Sequence, residues 1–124
     1  MSKYVELVDA FLTAYNDKDF DKMASMLTDD VDMAHFNRGA AFSKKADLLA
    51  VLPAFAEVLA PDRAFSPALS VTASGNTVVR ESDFTGTATQ DVPGFFEKGP
   101  FTLRLCSVFR FNEDDLIAEW KDHG

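Results

Sequence analysis

Two alternating runs in this chain each place one side chain able to handle a proton among apolar neighbours. In Val31, Met33, His35 an imidazole follows two apolar residues of the same parity. In Phe101, Leu103, Leu105, Ser107, Phe109, Phe111 a single hydroxyl interrupts an otherwise apolar series. Period-2 spacing puts such residues together on one face of a strand. An imidazole titrates near neutral pH without heavy tuning, so an inward His35 could shuttle a proton; the alternative is a buried histidine hydrogen-bonded to backbone. Isolated polar groups aimed at the buried side suggest a pocket rather than a solid core. Cys106 has the opposite parity to Leu105 and Ser107, so it is not placed to act as a nucleophile there. With one Cys and two His in the sequence, an internal disulfide is ruled out and a zinc site is not expected. No phosphate-cradling glycine loop or nucleophile elbow is present, and no metal or cofactor is expected.

The elements that position these groups follow from a change of period. Up to about Ala60 the apolar residues recur at helical spacing, and from Phe65 onward they alternate. Tyr4, Val5, Val8, Phe11, Leu12 and Tyr15 form one stripe, so residues 3–15 read as an amphipathic helix with Ser2 as N-cap. Asp19 starts a short second helix whose Phe20, Met23, Ala24 and Leu27 point inward. Thr28-Asp29-Asp30 reads as a turn, followed by a strand at 31–36. Ser43 is a candidate cap for a third helix from Lys44 to about Ala60, which Pro53 should kink or split. Strands are expected at 64–73, 77–90, 101–112 and 116–122, the first two joined through Ser74-Gly75-Asn76. Helices packed on one face of a mostly antiparallel sheet make an α+β domain, and a curved sheet crossed by a helix leaves a cavity at its mouth.

The bulk numbers fit one soluble domain over residues 1–124. A net charge of −8, from 20 acids against 12 bases, disfavours nucleic acid and anionic membrane surfaces. No apolar stretch reaches membrane-spanning length and the start does not read as a signal peptide, so a cytoplasmic location is the default. Twelve Phe residues suit the wall of an apolar cavity as well as a core.

Several strings resemble the nuclear transport factor 2-like superfamily in its SnoaL-like branch. They are Phe11-Leu12-Thr13-Ala14-Tyr15-Asn16-Asp17-Lys18-Asp19-Phe20-Asp21, Leu27-Thr28-Asp29-Asp30-Val31, and Phe109-Arg110-Phe111-Asn112-Glu113-Asp114-Asp115-Leu116-Ile117 with Trp120-Lys121-Asp122. The resemblance covers nearly the whole chain. It implies a cystatin-like α-β roll, a cone-shaped curved sheet wrapped around a long helix with an internal pocket, often dimeric. Relatives include ketosteroid isomerases, limonene-epoxide hydrolases, polyketide cyclases and proteins without catalysis, so fold alone does not fix function.

The resemblance also assigns roles. It places Phe11 where the ketosteroid isomerases have an oxyanion tyrosine, and Ser107 near their protonated aspartate; Phe11 cannot donate a hydrogen bond, which argues against steroid isomerisation. Trp120-Lys121-Asp122 resembles the Trp-Arg-Asp string that ends in one catalytic aspartate of the epoxide hydrolases. Arg80-Glu81-Ser82-Asp83 lies where they carry Glu-Arg-X-Asp, ending in the other, but with Arg80 and Glu81 interchanged. Parity groups Glu81 with Asp83 and turns Arg80 to the opposite face. Asn37 would match a water-positioning asparagine.

The expected cavity therefore opens among His35, Asn37, Asp83, Ser107, Trp120 and Asp122, with walls from Phe11, Tyr15, Phe55, Leu59 and Phe109. Two functions fit. One is a cofactor-independent acid–base enzyme acting on a small hydrophobic substrate, with His35 or Asp83 as base and Asp122 as acid. The other is a non-catalytic module that binds a small hydrophobic ligand or dimerises. The Phe95-Phe96 loop is either a lid or part of a partner interface. A homodimer is expected through the outer sheet face carrying Arg104, Cys106, Val108 and Arg110.

Overall fold

The computed structural model describes residues 2–124. Helix α1 (Lys3–Asn16) begins where Ser2 Oγ accepts from the Tyr4 backbone N–H, and it buries Val5, Val8, Phe11, Leu12 and Tyr15. Lys18, at φ 60°, turns the chain into α2 (Phe20–Met26), which the Asp19 side chain caps through the Lys22 N–H. Strand β1 (Leu27–His35) starts earlier than the spacing predicts and runs through Thr28-Asp29-Asp30. The expected turn is absorbed as an irregularity, because pairing slips between Leu27 and Asp32 and leaves Asp29 and Asp30 in solvent. A 3-10 turn at Phe36–Arg38 leads to the short β2 (Ala40–Phe42).

Helix α3 (Lys45–Ala54) has Lys44 at its N-cap with no side-chain capping bond, so Ser43 does not cap it. Pro53 lies inside the helix and supplies no N–H to its ladder. Rather than splitting, the helix loosens into a π-helical turn, Phe55–Leu59, closed by Ala60 N–H donating to the Phe55 carbonyl at 2.9 Å. The expected 64–73 strand divides around Ser66-Pro67 into β3 (Ala64–Phe65) and β4 (Ser70–Ser74). Strands β5 (Thr77–Ala88), β6 (Gly99–Phe111) and β7 (Ile117–His123) complete the sheet.

The sheet order is β2-β1-β7-β6-β5-β3, with β4 also paired to β5. Among the described residues only β1 and β7 run parallel; every other strand pair is antiparallel. The curved sheet stays open, and its inner face carries the apolar core with the helices against it. This is the α+β roll that the sequence implies. Gly86 on β5 marks a close approach: a Cβ there would stand 2.7 Å from the Phe101 ring and 3.2 Å from the Arg63 Cα.

Two registers decide where functional side chains point. On β6, Leu105, Ser107, Phe109 and Phe111 are buried, as the alternation requires. On β7 pairing slips opposite Arg110 and Phe111, so that Ala118 is extra and Ile117, Trp120 and Asp122 all face inward.

Candidate functional site

The register aligns one row of residues across the inner face. Arg80 on β5 pairs with Ser107 on β6, Ser107 with Asp122 on β7, and Asp122 with His35 on β1. All four are buried, with His35 at 9 % and Asp122 at 3 % exposure. His35 and Asp122 open onto a cavity of about 100 Å³, walled by Tyr15, Phe55, Phe65, Phe84, Leu105 and Trp120. Phe95 and Phe96 also line it. Phe96 stacks on Phe101 with ring centroids 4.1 Å apart and packs against Phe55 at 6.0 Å, so the loop folds over the cavity. Gly94, at φ 81°, supplies its turn.

Asp122 receives a hydrogen bond from Trp120 Nε1 at 3.0 Å, which two inward residues on one strand can make. Burial pushes its carboxyl up to about 6, against the opposing influence of Ser107 and of the indole N–H. The Ser107 hydroxyl makes no hydrogen bond of good geometry among the described residues, yet lies close enough to favour the carboxylate. His35 is shifted down, first by burial and then by the Arg38 charge. Its Nε2 is buried without a partner among the described residues. Burial also holds the Tyr15 phenol well above its ordinary range, and the Asp122 charge pushes the same way. Arg63 opposes that shift; it lies 4.3 Å over the Tyr15 ring and donates to the Tyr15 carbonyl at 2.6 Å. The cavity therefore holds an imidazole disposed to be neutral, a carboxyl with raised proton affinity and a phenol that stays protonated.

The remaining expected site residues lie elsewhere. Asp83 points outward and bonds Arg104 at 2.6 Å, because Arg80, Ser82 and Phe84 take the buried positions of β5. The expected grouping of Glu81 with Asp83 is correct, but that pair is on the solvent side. On the inner face Ser82 occupies the place two residues after Arg80, so the second carboxylate of the epoxide-hydrolase pattern is a hydroxyl here. Asn37 is exposed in the 3-10 turn, where strand parity no longer applies. Phe11 and Phe109 are fully buried behind Trp120 and do not line the cavity. Leu59 does not line it either; the π-turn presents Phe55 instead. Spacing alone did not single out Phe65, Phe84 or Arg63; shared parity with Val78 along β5 identifies Phe84. Among the described residues no cluster of three His, Cys, Asp or Glu side chains is placed to hold a metal.

A family model described as a SnoaL-like domain matches residues 8–120. The chain belongs to the SnoaL-like family. Among solved structures, this SnoaL-like chain is similar to a candidate polyketide cyclase from Xanthomonas campestris at 21% identity and TM-score 0.81, covering 98% of this chain and 89% of that one. It is also similar to an LEH-like epoxide hydrolase from M. tuberculosis, at 19% identity and TM-score 0.76 over 97% of this chain and 80% of the other. A third, a candidate polyketide cyclase from Pseudomonas putida, shares 21% identity at TM-score 0.80, over 98% and 90% of the two chains. No curated relative matches the sequence. Identities this low establish a shared fold and leave the chemistry to the site. No helix among the described residues is long and apolar enough to cross a membrane.

Proposed function

We propose that residues 1–124 form a single SnoaL-like domain that carries out acid–base chemistry without a cofactor on a small hydrophobic substrate. The observation that carries this reading is the pairing of His35 with Asp122 in adjacent register, both opening onto one apolar cavity. In an enolisation, His35 Nε2 takes the proton from the carbon beside a carbonyl. Asp122, while protonated, gives its own to the carbonyl oxygen, so a C–H bond breaks as an O–H bond forms. The Tyr15 phenol donates a hydrogen bond to the developing oxyanion, the part Phe11 cannot play. Isomerisation and cyclisation use this step. Epoxide opening by paired carboxylates is less well served, because Ser82 replaces one of the acids.

The cavity sets the substrate's size. About 100 Å³ is smaller than the roughly 150 Å³ space that accommodates a benzene-sized ligand. A larger ligand would have to extend past the cavity mouth or displace the Phe95-Phe96 loop. A second reading, a non-catalytic binding module, is favoured by the mainly apolar lining, in which Tyr15, His35 and Asp122 are the groups able to orient a ligand.

Turnover of a panel of enolisable ketones and epoxides across pH 4–9 separates the two. His35 is neutral above its lowered pKa and Asp122 protonated below about 6, so the enzyme reading expects a bell-shaped profile whose alkaline limb falls through about pH 6. His35→Ala should lower turnover by about 100-fold or more, while Asp83→Asn leaves it unchanged. Ligand binding without turnover anywhere in the panel would favour the module. A flat response to His35→Ala would remove that residue from the mechanism.

We also propose a homodimer through the outer sheet face. Val79 is 38% exposed there and pairs with Val108, flanked by Cys106, Arg104 and Arg110. Light scattering at micromolar concentration should give twice the chain mass; a monomer would contradict this.

A further inference from the structure

A second hollow, of about 340 Å³, lies between α1 and the chain linking β3 to β4. Asp9, Thr13 and Asn16 line it, and Leu12, Pro67 and Val71 add apolar surface, with Leu12 buried and Val71 exposed. Of its lining only Phe65 is shared with the first cavity. Arg80 also lines it and is 4% exposed. Its Nη2 donates to the Ser66 carbonyl at 2.7 Å, while Nε and Nη1 are buried with no hydrogen-bond partner among the described residues. The nearest counter-charge, Asp9 Oδ1, stands 4.0 Å from Nε on a side chain 61% exposed to water. A buried guanidinium with one neutral acceptor and a distant carboxylate lacks the compensation that buried cations ordinarily have.

We propose that this hollow is a second binding site, in which Arg80 takes the carboxylate of a ligand whose short apolar chain lies over Leu12, Phe65 and Val71. The two Arg80 nitrogens without hydrogen-bond partners, Nε and Nη1, offer charge-assisted donors, the strongest type of hydrogen bond available to a carboxylate. A single negative charge fits better than two. Asp9 stands beside the guanidinium and the whole chain carries −8, so a dianion meets more repulsion. Asp9 competes with the ligand for Arg80 and so weakens binding.

Titration of the labelled protein with hexanoate, followed by amide and arginine Nε resonances, tests the proposal. Shifts should concentrate at Thr13, Asn16, Val71 and the Arg80 Nε–H, away from His35 and Leu105. Hexanol, which has the same chain without charge, should bind at least about tenfold more weakly, and so should inorganic phosphate. Asp9→Asn should tighten hexanoate binding by about threefold or more, because the competing carboxylate is gone. Arg80→Gln should abolish it; should that variant not fold, Ala68→Trp, which fills the exposed rim, serves the same purpose. An N-acetylated leucyl dipeptide with a free carboxylate, compared with its amide, tells a peptide end from a free acid as the source; carboxylate-dependent binding of either supports the site. Equal binding of hexanol and hexanoate, shifts confined to the first cavity, or weaker binding in Asp9→Asn would overturn the proposal.

Discussion

Asp122→Asn is expected to raise the melting temperature by about 5–10 °C at pH 8, to change it little at pH 4, and to lower turnover by about 100-fold or more. The folded protein moves this carboxyl from 3.8 up to about 6, with burial as the main cause. A group whose proton affinity rises on folding stabilises the native state below its unfolded value, and that contribution disappears as pH climbs through the folded one. The loss therefore falls between about pH 4 and 6 and amounts to roughly 3 kcal/mol, so at pH 8 the wild type carries a buried anion. Asparagine carries no charge, can still accept from Trp120 Nε1 as Asp122 Oδ1 does at 3.0 Å, and turns its amide toward the unpartnered Ser107 hydroxyl. The same change removes the proton that our mechanism delivers to the carbonyl oxygen. Calorimetry at the two pH values checks the first claim; equal shifts at both would mean that charge burial is not the cause. Lost stability at pH 8 would contradict it outright.

Phe11→Ala should destabilise the protein by about 3–5 kcal/mol. Phe11 is fully buried and meets Trp120 edge-on at 5.2 Å and Phe109 at 6.0 Å, the centre of an aromatic cluster behind the cavity. Neighbours anchored on two adjacent strands have little freedom to collapse into the space. Urea unfolding followed by the fluorescence of Trp120 should show the midpoint falling with the slope unchanged. A loss below about 1.5 kcal/mol would mean that the cluster repacks around the gap.

How much of this was legible beforehand depended on whether one face of each element was apolar throughout. The β6 run was readable because Leu105, Phe109 and Phe111 leave one place for Ser107. On β5 both parities carry charge, Arg80 on one and Glu81 with Asp83 on the other. The buried Val78 and Phe84 mark the true inner side, but the similarity to Glu-Arg-X-Asp drew the acids inward. The inward turn of Asp122 depends on the extra residue at Ala118, a bulge with no signature in composition or spacing. Asn37 leaves the expected inner row because a strand's alternation stops where the 3-10 turn begins. Helical spacing makes Tyr15 a wall residue; its hydroxyl acquires a chemical part only through the nearness of Asp122 and Arg63, which no one-dimensional pattern encodes.

The parallel pairing of β1 with β7 has a consequence for how the molecule comes into being. His35 meets Asp122 through the most sequence-distant seam in the sheet. During synthesis the helices and the β5–β6 hairpin can form while β1 still lacks the strand that pairs with it. Closing that seam carries the largest loop-closure cost of any strand pairing in the sheet. On the proposed mechanism, a nascent chain would lack its paired His35 and Asp122 until residues 117–123 emerge and dock.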